Sequence, residues 1–245
     1  MAVATSLFKY RDFSKTSLEL LINKELWFAQ PSSLNDPFEC QMLLPEFLDS
    51  IWRHYPITDE KKRVIESYLT IQIEKMGICS LSQTRKNQLM WAHYADEHKG
   101  FCIGFDEAIL KNTSDRFHSC LVEYSSDLPY KGVIERIKYY SNAPAGLPIE
   151  YQNSPHSIAA DILSSISGTK YTNWKYEKEV RLLRPSHGAL KFCPSAVVSI
   201  AFGLRMPERD KVTLKKLLST PEWSHLLWFQ AEKQPDKFGL DFKKI

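Results

Sequence analysis

The chain is poor in glycine, and its nine glycines form none of the loops that usually cradle a phosphate. The motifs G-x-G-x-x-G, G-x-x-x-x-G-K-[ST] and G-x-S-x-G are all absent, so Rossmann-type, kinase and α/β-hydrolase chemistry is poorly supported. The five cysteines include no C-x-x-C pair, which excludes a zinc ribbon and a thioredoxin motif. No apolar run approaches the ~20 residues of a membrane span.

The opening segment, "MAVATSLFKYRDF", lacks a basic region followed by an apolar core, so no signal peptide is predicted. We therefore expect a cytoplasmic protein with reduced cysteines and no membrane partner. The 32 basic and 29 acidic residues leave a net charge of +3, which is too balanced to indicate nucleic-acid binding by itself. The basic stretch 205–216 is interpreted as a solvated helix face, with phosphate contact as the alternative.

The apolar pattern predicts alternating helices and strands. Strands are predicted at "LFKYR", "ELWFA", "GICSLSQ", "FCIGF", "FHSCLVEYS", "KYEKEVRLL", "AVVSIAFG" and "LLWFQAE". Helices are predicted at "SKTSLELLINK", "PEFLDSIWRHY", "TDEKKRVIESYLTIQIEKMG", "RKNQLMWAHYADEHKG", "SIAADILSSIS" and "RDKVTLKKLLS", with a loop at 141–157. We expect one α+β domain over residues 1–245, with a mixed or antiparallel central sheet, an inserted helical pair at 45–76 and peripheral helices.

Two acids and a base stand close together in "NWKYEKEVRLL". In a strand, alternation places Glu177, Glu179 and Arg181 on one face, with Trp174 and Tyr176 on the other. In a helix, Glu177 and Arg181 would form an i,i+4 pair instead, but the β-branched and aromatic content favours a strand. The polar row is a candidate for chemistry. An exposed face with cross-strand ion pairs of little energetic weight is the alternative.

Two further segments carry polar side chains suited to a ligand. In "SLNDPFE", Asn35 and Asp36 either close a tight turn or present an amide and a carboxylate to a ligand. In "FKYR", Lys9 and Arg11 alternate to the same face of the first strand, with Tyr10 between them. Cations on a strand beside an acid-bearing strand suit a phosphate-bearing ligand.

A third group lies in "LMWAHYADEHKG". Its two histidines, His93 and His98, are five residues apart, which is not the spacing of a zinc-binding helix, so no metal is expected. His93 is a candidate pocket residue, with a structural histidine near a helix C-terminus as the alternative. Tyr94 shares a helix face with Trp91 and could stack on a ligand ring.

Taken in order, these segments resemble a widespread bacterial family known as domain of unknown function 2971. The likeness rests on "LFKYRDF", "ELWFAQPSSLNDPFEC", "ICSLSQ", "MWAHYADEHKGFCIGFD" and "WKYEKEVRLL", and it runs from about residue 7 to residue 203. The family label itself implies no activity.

The layout also resembles, more loosely, that of ADP-ribosyltransferases. This resemblance implies an ADP-ribosyltransferase-like fold with NAD as a substrate. It implies that Arg11 holds the phosphate or ribose, that Glu179 is the catalytic glutamate and that Glu177 orients it. The remaining expected ligand contacts are Lys9, Tyr10, Asn35, Asp36, His93, Tyr94 and Arg181.

We therefore expect an NAD-using ADP-ribosyltransferase or NAD glycohydrolase, acting as a bacterial defence or toxin effector on a protein or nucleic-acid acceptor. Two alternatives stay open: a non-catalytic sensing or interaction module, and a nucleic-acid-binding protein or nuclease. The enzyme hypothesis requires that the cations near position 10 and the acids near position 178 face one cleft. It also predicts that Glu179→Gln abolishes turnover and leaves the melting temperature nearly unchanged.

Overall fold

A computed structural model describes residues 6–40, 44–55, 57–112, 117–141 and 154–245. Its strands are β1 (Ser6–Arg11), β2 (Glu25–Phe28), β3 (Gly77–Ser82), β4 (Phe101–Asp106), β5 (His118–Leu121), β6 (Glu123–Ser125), β7 (Thr169–Tyr171), β8 (Glu179–Arg184), β9 (Gly188–Lys191), β10 (Val197–Phe202), β11 (Leu227–Lys233) and β12 (Leu240–Lys244). Its α-helices are α1 (Lys15–Asn23), α2 (Leu44–His54), α3 (Asp59–Lys75), α4 (Gln88–Tyr94), α5 (Glu107–Asn112), α6 (Tyr130–Ser141), α7 (Pro155–Gly168) and α8 (Glu208–Leu217).

The fold is α+β and is built around a mixed eight-stranded sheet. The strand order is β12-β11-β10-β4-β1-β3-β8-β5, in which β10 and β11 run parallel and the other neighbours run antiparallel. Two smaller sheets pair β2 with β9 and β6 with β7. The predicted fold class is therefore confirmed, including the mixed character of the sheet.

Local signals in the sequence explain several element boundaries. Ser14 caps α1 by accepting a hydrogen bond from the Ser17 amide, and Thr58 caps α3 in the same way. The first turn of α3 carries Asp59 and Glu60, whose negative charges interact favourably with the positive end of the helix dipole. These caps confirm where the two helices were predicted to begin.

Helix α4 ends at Tyr94, six residues before the end that the sequence predicts. Three successive residues, Asp96, Glu97 and His98, adopt positive φ angles of 44°, 51° and 71°, which unwinds the chain. The turn brings Gly100 against β1, where an added Cβ would lie 2.1 Å from the Arg11 carbonyl oxygen. The close approach requires glycine, and the prediction that the helix continues to residue 100 is wrong.

The two helices predicted at 45–76 are present as α2 and α3, but they do not pack as an isolated pair. They share an apolar cluster with α6 and α7, whose buried members include Phe47, Ile65, Val133 and Ile162. Helix α6 was not predicted. Of the predicted loop at 141–157, residues 142–153 lie outside the described residues, and α7 already begins at Pro155. None of the helices in the described ranges is long and apolar enough to cross a membrane.

Candidate functional site

The polar segment that the sequence singles out is only partly a strand. Residues Thr172–Glu177 form a 3₁₀ helix, Lys178 takes a left-handed conformation with φ of 46°, and β8 begins at Glu179. The prediction of one continuous strand is therefore wrong before Glu179, and Trp174 and Tyr176 do not share a strand face with the apolar residues of β8. The turn allows the Glu177 side chain to fold back toward Lys170, which the straight strand would not permit.

Five charged side chains from three separate segments meet beneath the surface, and we call them the charge cluster. They are Glu39, Lys170, Glu177, Glu179 and Arg181. Each is at most 5% exposed, so water screens these charges little. A buried charge is tolerated only when partners compensate it, and here every member contacts at least one opposite charge.

Lys170 is the central cation of the cluster. Its Nζ lies 2.5 Å from Glu39 Oε1, 2.6 Å from Glu177 Oε2 and 3.2 Å from Glu179 Oε2. The same ammonium group stands 4.9 Å from the centre of the Trp174 ring. Lys170 thus joins β7, the loop after β2 and the polar segment 177–179 at a single point.

Arg181 is the second cation, and it is fully buried. Its Nε donates to Glu179 Oε1 at 2.9 Å, and its Nη2 lies 3.3 Å from Glu179 Oε2 and 3.1 Å from Glu39 Oε1. Its Nη1 donates to the Ser167 carbonyl oxygen at 2.7 Å. The forked contact with Glu179 is the geometry in which a guanidinium and a carboxylate bind most strongly.

A hydrogen-bonded chain connects the cluster to the surface. Asn35 Nδ2 donates to the Tyr94 hydroxyl at 2.9 Å, and that hydroxyl donates to Glu177 Oε1 at 2.6 Å. Burial raises the pKa of Tyr94, and its hydrogen bond to Glu177 raises it further, so the phenol stays a donor. Three residues predicted at the site, Asn35, Tyr94 and Glu177, are therefore in direct contact.

The cluster holds three carboxylates and two cations. The pKa values of two of the carboxylates, Glu179 and Glu39, shift in opposite directions. Burial acts to raise the pKa of Glu179, but the Arg181 guanidinium and the Lys170 ammonium outweigh it and hold this pKa at about 2. Burial raises the pKa of Glu39 above its ordinary value in spite of the same two cations. Glu39 is thus the carboxyl group between these two that more readily takes up a proton.

The lowered pKa of Glu179 predicts a loss of stability in acid. A carboxyl group whose pKa falls on folding stabilises the fold above its ordinary pKa of 4.5, and that contribution disappears as the pH falls from 4.5 towards 2. The shift corresponds to about 3 kcal/mol. Urea unfolding of the wild type and of Glu179→Gln at several pH values in this range measures it. The wild type should lose stability more steeply, and equal pH dependence in the two proteins would contradict the assignment.

A cavity of about 280 Å³ opens beside the cluster, and we call it the Glu39 cavity. Asp36, Glu39 and Lys170 line it together with hydroxyl side chains of Ser125, Thr169 and Tyr171. Neither Glu177 nor Glu179 is part of its lining. An adjoining cavity of about 430 Å³ shares Ser125 and Thr169 with it and carries Lys131 and Arg136.

The two cations of the first strand do not lie on this side of the sheet. Phe8 pairs with Ser82, and Ser82 pairs with Glu179, so Phe8 and Glu179 point to the same face. Lys9 and Arg11 alternate with Phe8 and therefore point to the opposite face. The expectation that the cations near position 10 and the acids near position 178 share one cleft is wrong, because the sheet itself separates them.

Tyr10 does lie on the face of Glu179, but its surroundings are those of a core residue. It is 6% exposed, its hydroxyl donates to the Thr84 carbonyl oxygen at 2.8 Å, and its ring packs edge-on against Trp91. Burial raises the pKa of this phenol. This buried position gives no support to the prediction that Tyr10 contacts a ligand.

The remaining two predicted residues have different surroundings. Asp36 is buried, and its Oδ1 accepts a hydrogen bond from the Phe38 amide at 3.0 Å, which is the tight turn that the sequence indicates. Asp36 also lines the Glu39 cavity, and the ligand-facing interpretation stays a prediction. His93 is exposed, and its ring stands 6.3 Å from the rings of Tyr94 and Tyr176.

Sequence reasoning missed Glu39 and Lys170. Glu39 lies in the segment "SLNDPFE", in which only Asn35 and Asp36 were predicted as site residues. Lys170 precedes the polar segment by only a few residues. Residues 177–181 hold two acids and two bases, so their charge balance does not indicate that a further cation is needed. The need for Lys170 follows only from the fold, in which Lys178 is exposed and both glutamates are buried.

The fold and the site define an α+β protein with a buried charge cluster beside an open cavity. Residues 90–182 match the family model described as Protein of unknown function (DUF2971). The family resemblance is confirmed over that range, which includes Tyr94, Lys170, Glu177, Glu179 and Arg181, but not Glu39. No curated protein and no solved structure matches the chain.

Proposed function

We propose that the protein is an NAD-using ADP-ribosyltransferase or NAD glycohydrolase whose reaction takes place in the Glu39 cavity. The proposal uses the acids of this cavity, because the cleft shared by positions 10 and 178 that the sequence-based hypothesis required is not present. The observation that carries the proposal is a carboxyl group with a raised pKa on the wall of a cavity. Glu39 is 3% exposed, is fixed by Lys170 and Arg181, and still lines open space. Carboxyl groups with perturbed pKa values in cavities are favoured candidates for proton transfer.

The proposed chemistry uses Asp36 and Glu39, which are two of the three acids that line the cavity; the third is Asp127. The bond between the nicotinamide nitrogen and C1′ of the ribose breaks, and its electron pair leaves with neutral nicotinamide. Positive charge develops on the sugar, where the Asp36 carboxylate would stabilise it electrostatically. A water molecule or an acceptor nucleophile bonds to C1′ and gives its proton to the Glu39 carboxylate. With water, the products are ADP-ribose, nicotinamide and a proton.

The surroundings of the cavity suit a sugar-bearing dinucleotide. Hydroxyl groups of Ser125, Thr169 and Tyr171 face the same space and can bond ribose hydroxyls. Phe38 lines the cavity and is 81% exposed, so its ring is available for stacking. The adjoining cavity carries Lys131 and Arg136, which could contact a pyrophosphate, together with the acids Glu123 and Asp127.

In this proposal Glu177 and Glu179 do not touch the substrate. They hold Lys170 and Arg181, which in turn fix Glu39, so they act as positioning residues. The cytoplasm is the proposed location, because all five cysteines are free and three of them are buried. Consumption of NAD is also the chemistry by which a defence or toxin effector would act. The acceptor, if there is one besides water, can be protein or nucleic acid.

The test is incubation of the whole chain with NAD, with released nicotinamide measured by chromatography. Reactions with water alone, with a protein mixture, with DNA and with RNA cover the acceptor classes. Glu46→Gln, which changes an exposed carboxylate on α2, serves as the matched control for Glu39→Gln. Absence of nicotinamide release in every reaction, together with absence of NAD binding by calorimetry, would overturn the proposal.

The buried state of Glu177 and Glu179 favours a second candidate, a non-catalytic sensing or interaction module. Both side chains are engaged in ion pairs, and the low pKa of Glu179 suits a structural anion better than a proton acceptor. In that case a ligand would occupy the Glu39 cavity without being consumed. Saturable NAD binding with no nicotinamide release over prolonged incubation would favour this candidate over the enzyme.

A further inference from the structure

We infer that a second cavity, on the opposite face of the sheet, binds a phosphate-bearing aromatic molecule such as a nucleoside monophosphate. This cavity has a volume of about 570 Å³, and Lys9, Arg11 and Trp27 line it. We call it the Lys9 cavity. The inference is independent of the proposed function, because it concerns residues that the sheet separates from the Glu39 cavity.

The cations of the Lys9 cavity lack carboxylate partners among the described residues. Lys9 Nζ donates to the Ser80 carbonyl oxygen at 3.1 Å and contacts Cys79 Sγ at 3.7 Å. Arg11 Nε donates to Ser17 Oγ at 2.9 Å, and its Nη2 reaches Thr16 Oγ1 at 3.4 Å. All four acceptors are neutral, so neither cation has a direct ion-pair partner among the described residues. The Ser17 hydroxyl that accepts from Arg11 also donates to Asp12 Oδ1 at 2.7 Å.

Two acids also line the cavity, but other cations already neutralise them. Glu19 forms an ion pair with Lys15 at 3.7 Å, and Glu25 forms one with Lys191 at 3.0 Å. The charge that remains for a ligand is therefore positive. Two half-buried cations on neighbouring same-face positions of one strand, beside open space, form a receptor for a phosphate group.

The opposite part of the cavity suits a flat ring. Trp27 is 62% exposed although it is the largest side chain of β2, and it lies on the cavity wall. Leu20 adds an apolar side chain to the lining of the cavity. An exposed indole can stack on a nucleobase, and such stacking does not depend on the identity of the base. Phosphate and ring together define the ligand class.

Adenosine monophosphate is the probe, and its binding is followed by calorimetry and by tryptophan fluorescence. We expect saturable binding that weakens about tenfold or more in Lys9→Gln and in Arg11→Gln, since each loses a charge-assisted hydrogen bond to phosphate. Trp27→Phe should reduce the fluorescence change. Lys237→Gln, which removes an exposed cation that does not line the cavity, should bind as the wild type does.

Wild-type protein also provides a test that needs no substitution. Adenosine, which carries the ring without the phosphate, should bind at least about tenfold more weakly than adenosine monophosphate. Equal affinity for the two molecules would overturn the inference, as would absence of saturable binding. Retained binding in folded Lys9→Gln and Arg11→Gln with loss in Glu39→Gln would move the ligand to the Glu39 cavity and also overturn it.

Discussion

Replacing Arg181 by methionine is expected to lower the free energy of unfolding by about 3–5 kcal/mol, as measured by urea denaturation. The substitution keeps an apolar stem of similar length but removes the guanidinium that contacts Glu39, Glu179 and the Ser167 carbonyl oxygen. The three carboxylates of the cluster would stay buried with Lys170 as their one remaining cation in the cluster. An uncompensated buried charge costs far more than the loss of an exposed ion pair.

Arg184→Met is the matched control, because Arg184 ends the same strand and is partly exposed. It should change the unfolding free energy by less than about 1 kcal/mol. The double variant Arg181→Met with Glu179→Leu should be more stable than Arg181→Met alone, since the second change removes one of the three carboxylates that share Lys170. A cost for Arg181→Met no larger than that of Arg184→Met would show that the charge cluster contributes no specific stability.

Replacing Glu39 by glutamine is expected to reduce nicotinamide release by about 10²-fold or more, because the proposed proton acceptor is lost. The stability should change by less than about 1 kcal/mol. Glutamine keeps the length of the side chain without its charge, and burial, which raises the pKa of Glu39, disfavours that charge. Two carboxylates and two cations then stay balanced in the cluster.

Glu179→Gln tests the positioning role of Glu179, as Glu39→Gln tests the catalytic role of Glu39. It should cost about 3 kcal/mol of stability, because the carboxylate with the low pKa is the one that the cations hold. This reverses the sequence-based expectation, in which the substitution leaves the melting temperature nearly unchanged. Unchanged turnover in folded Glu39→Gln would contradict the catalytic role of Glu39, and unchanged stability in Glu179→Gln would contradict the positioning role of Glu179.

Much of the fold could be predicted, because its signals are local. Capping by Ser14 and Thr58 marks helix starts in the sequence, and short apolar runs mark β1, β3, β4 and β10. The end of α4 could not be predicted, since three left-handed residues there depend on the contact of Gly100 with β1. Such a contact is made between distant parts of the chain and leaves no periodic pattern.

Site residues that are neighbours in the sequence could be predicted. Site residues that only the tertiary fold brings together could not. Glu177, Glu179 and Arg181 stand out in one short segment, whereas Glu39 joins them only through the tertiary fold. The error over Lys9 has a different origin. The sequence fixes which strand residues share a face, but the register between β1 and β3 decides on which side of the sheet that face lies.

The loop that carries Asp36 and Glu39 is anchored at both of its ends. Asn35 is held through the Tyr94 hydroxyl, and Glu39 is held by Lys170 and Arg181. The chain therefore loses the conformational entropy of this loop when it folds and not when a molecule arrives. A ligand of the Glu39 cavity would meet a receptor that already has its bound shape, so its association should be fast and should require little rearrangement.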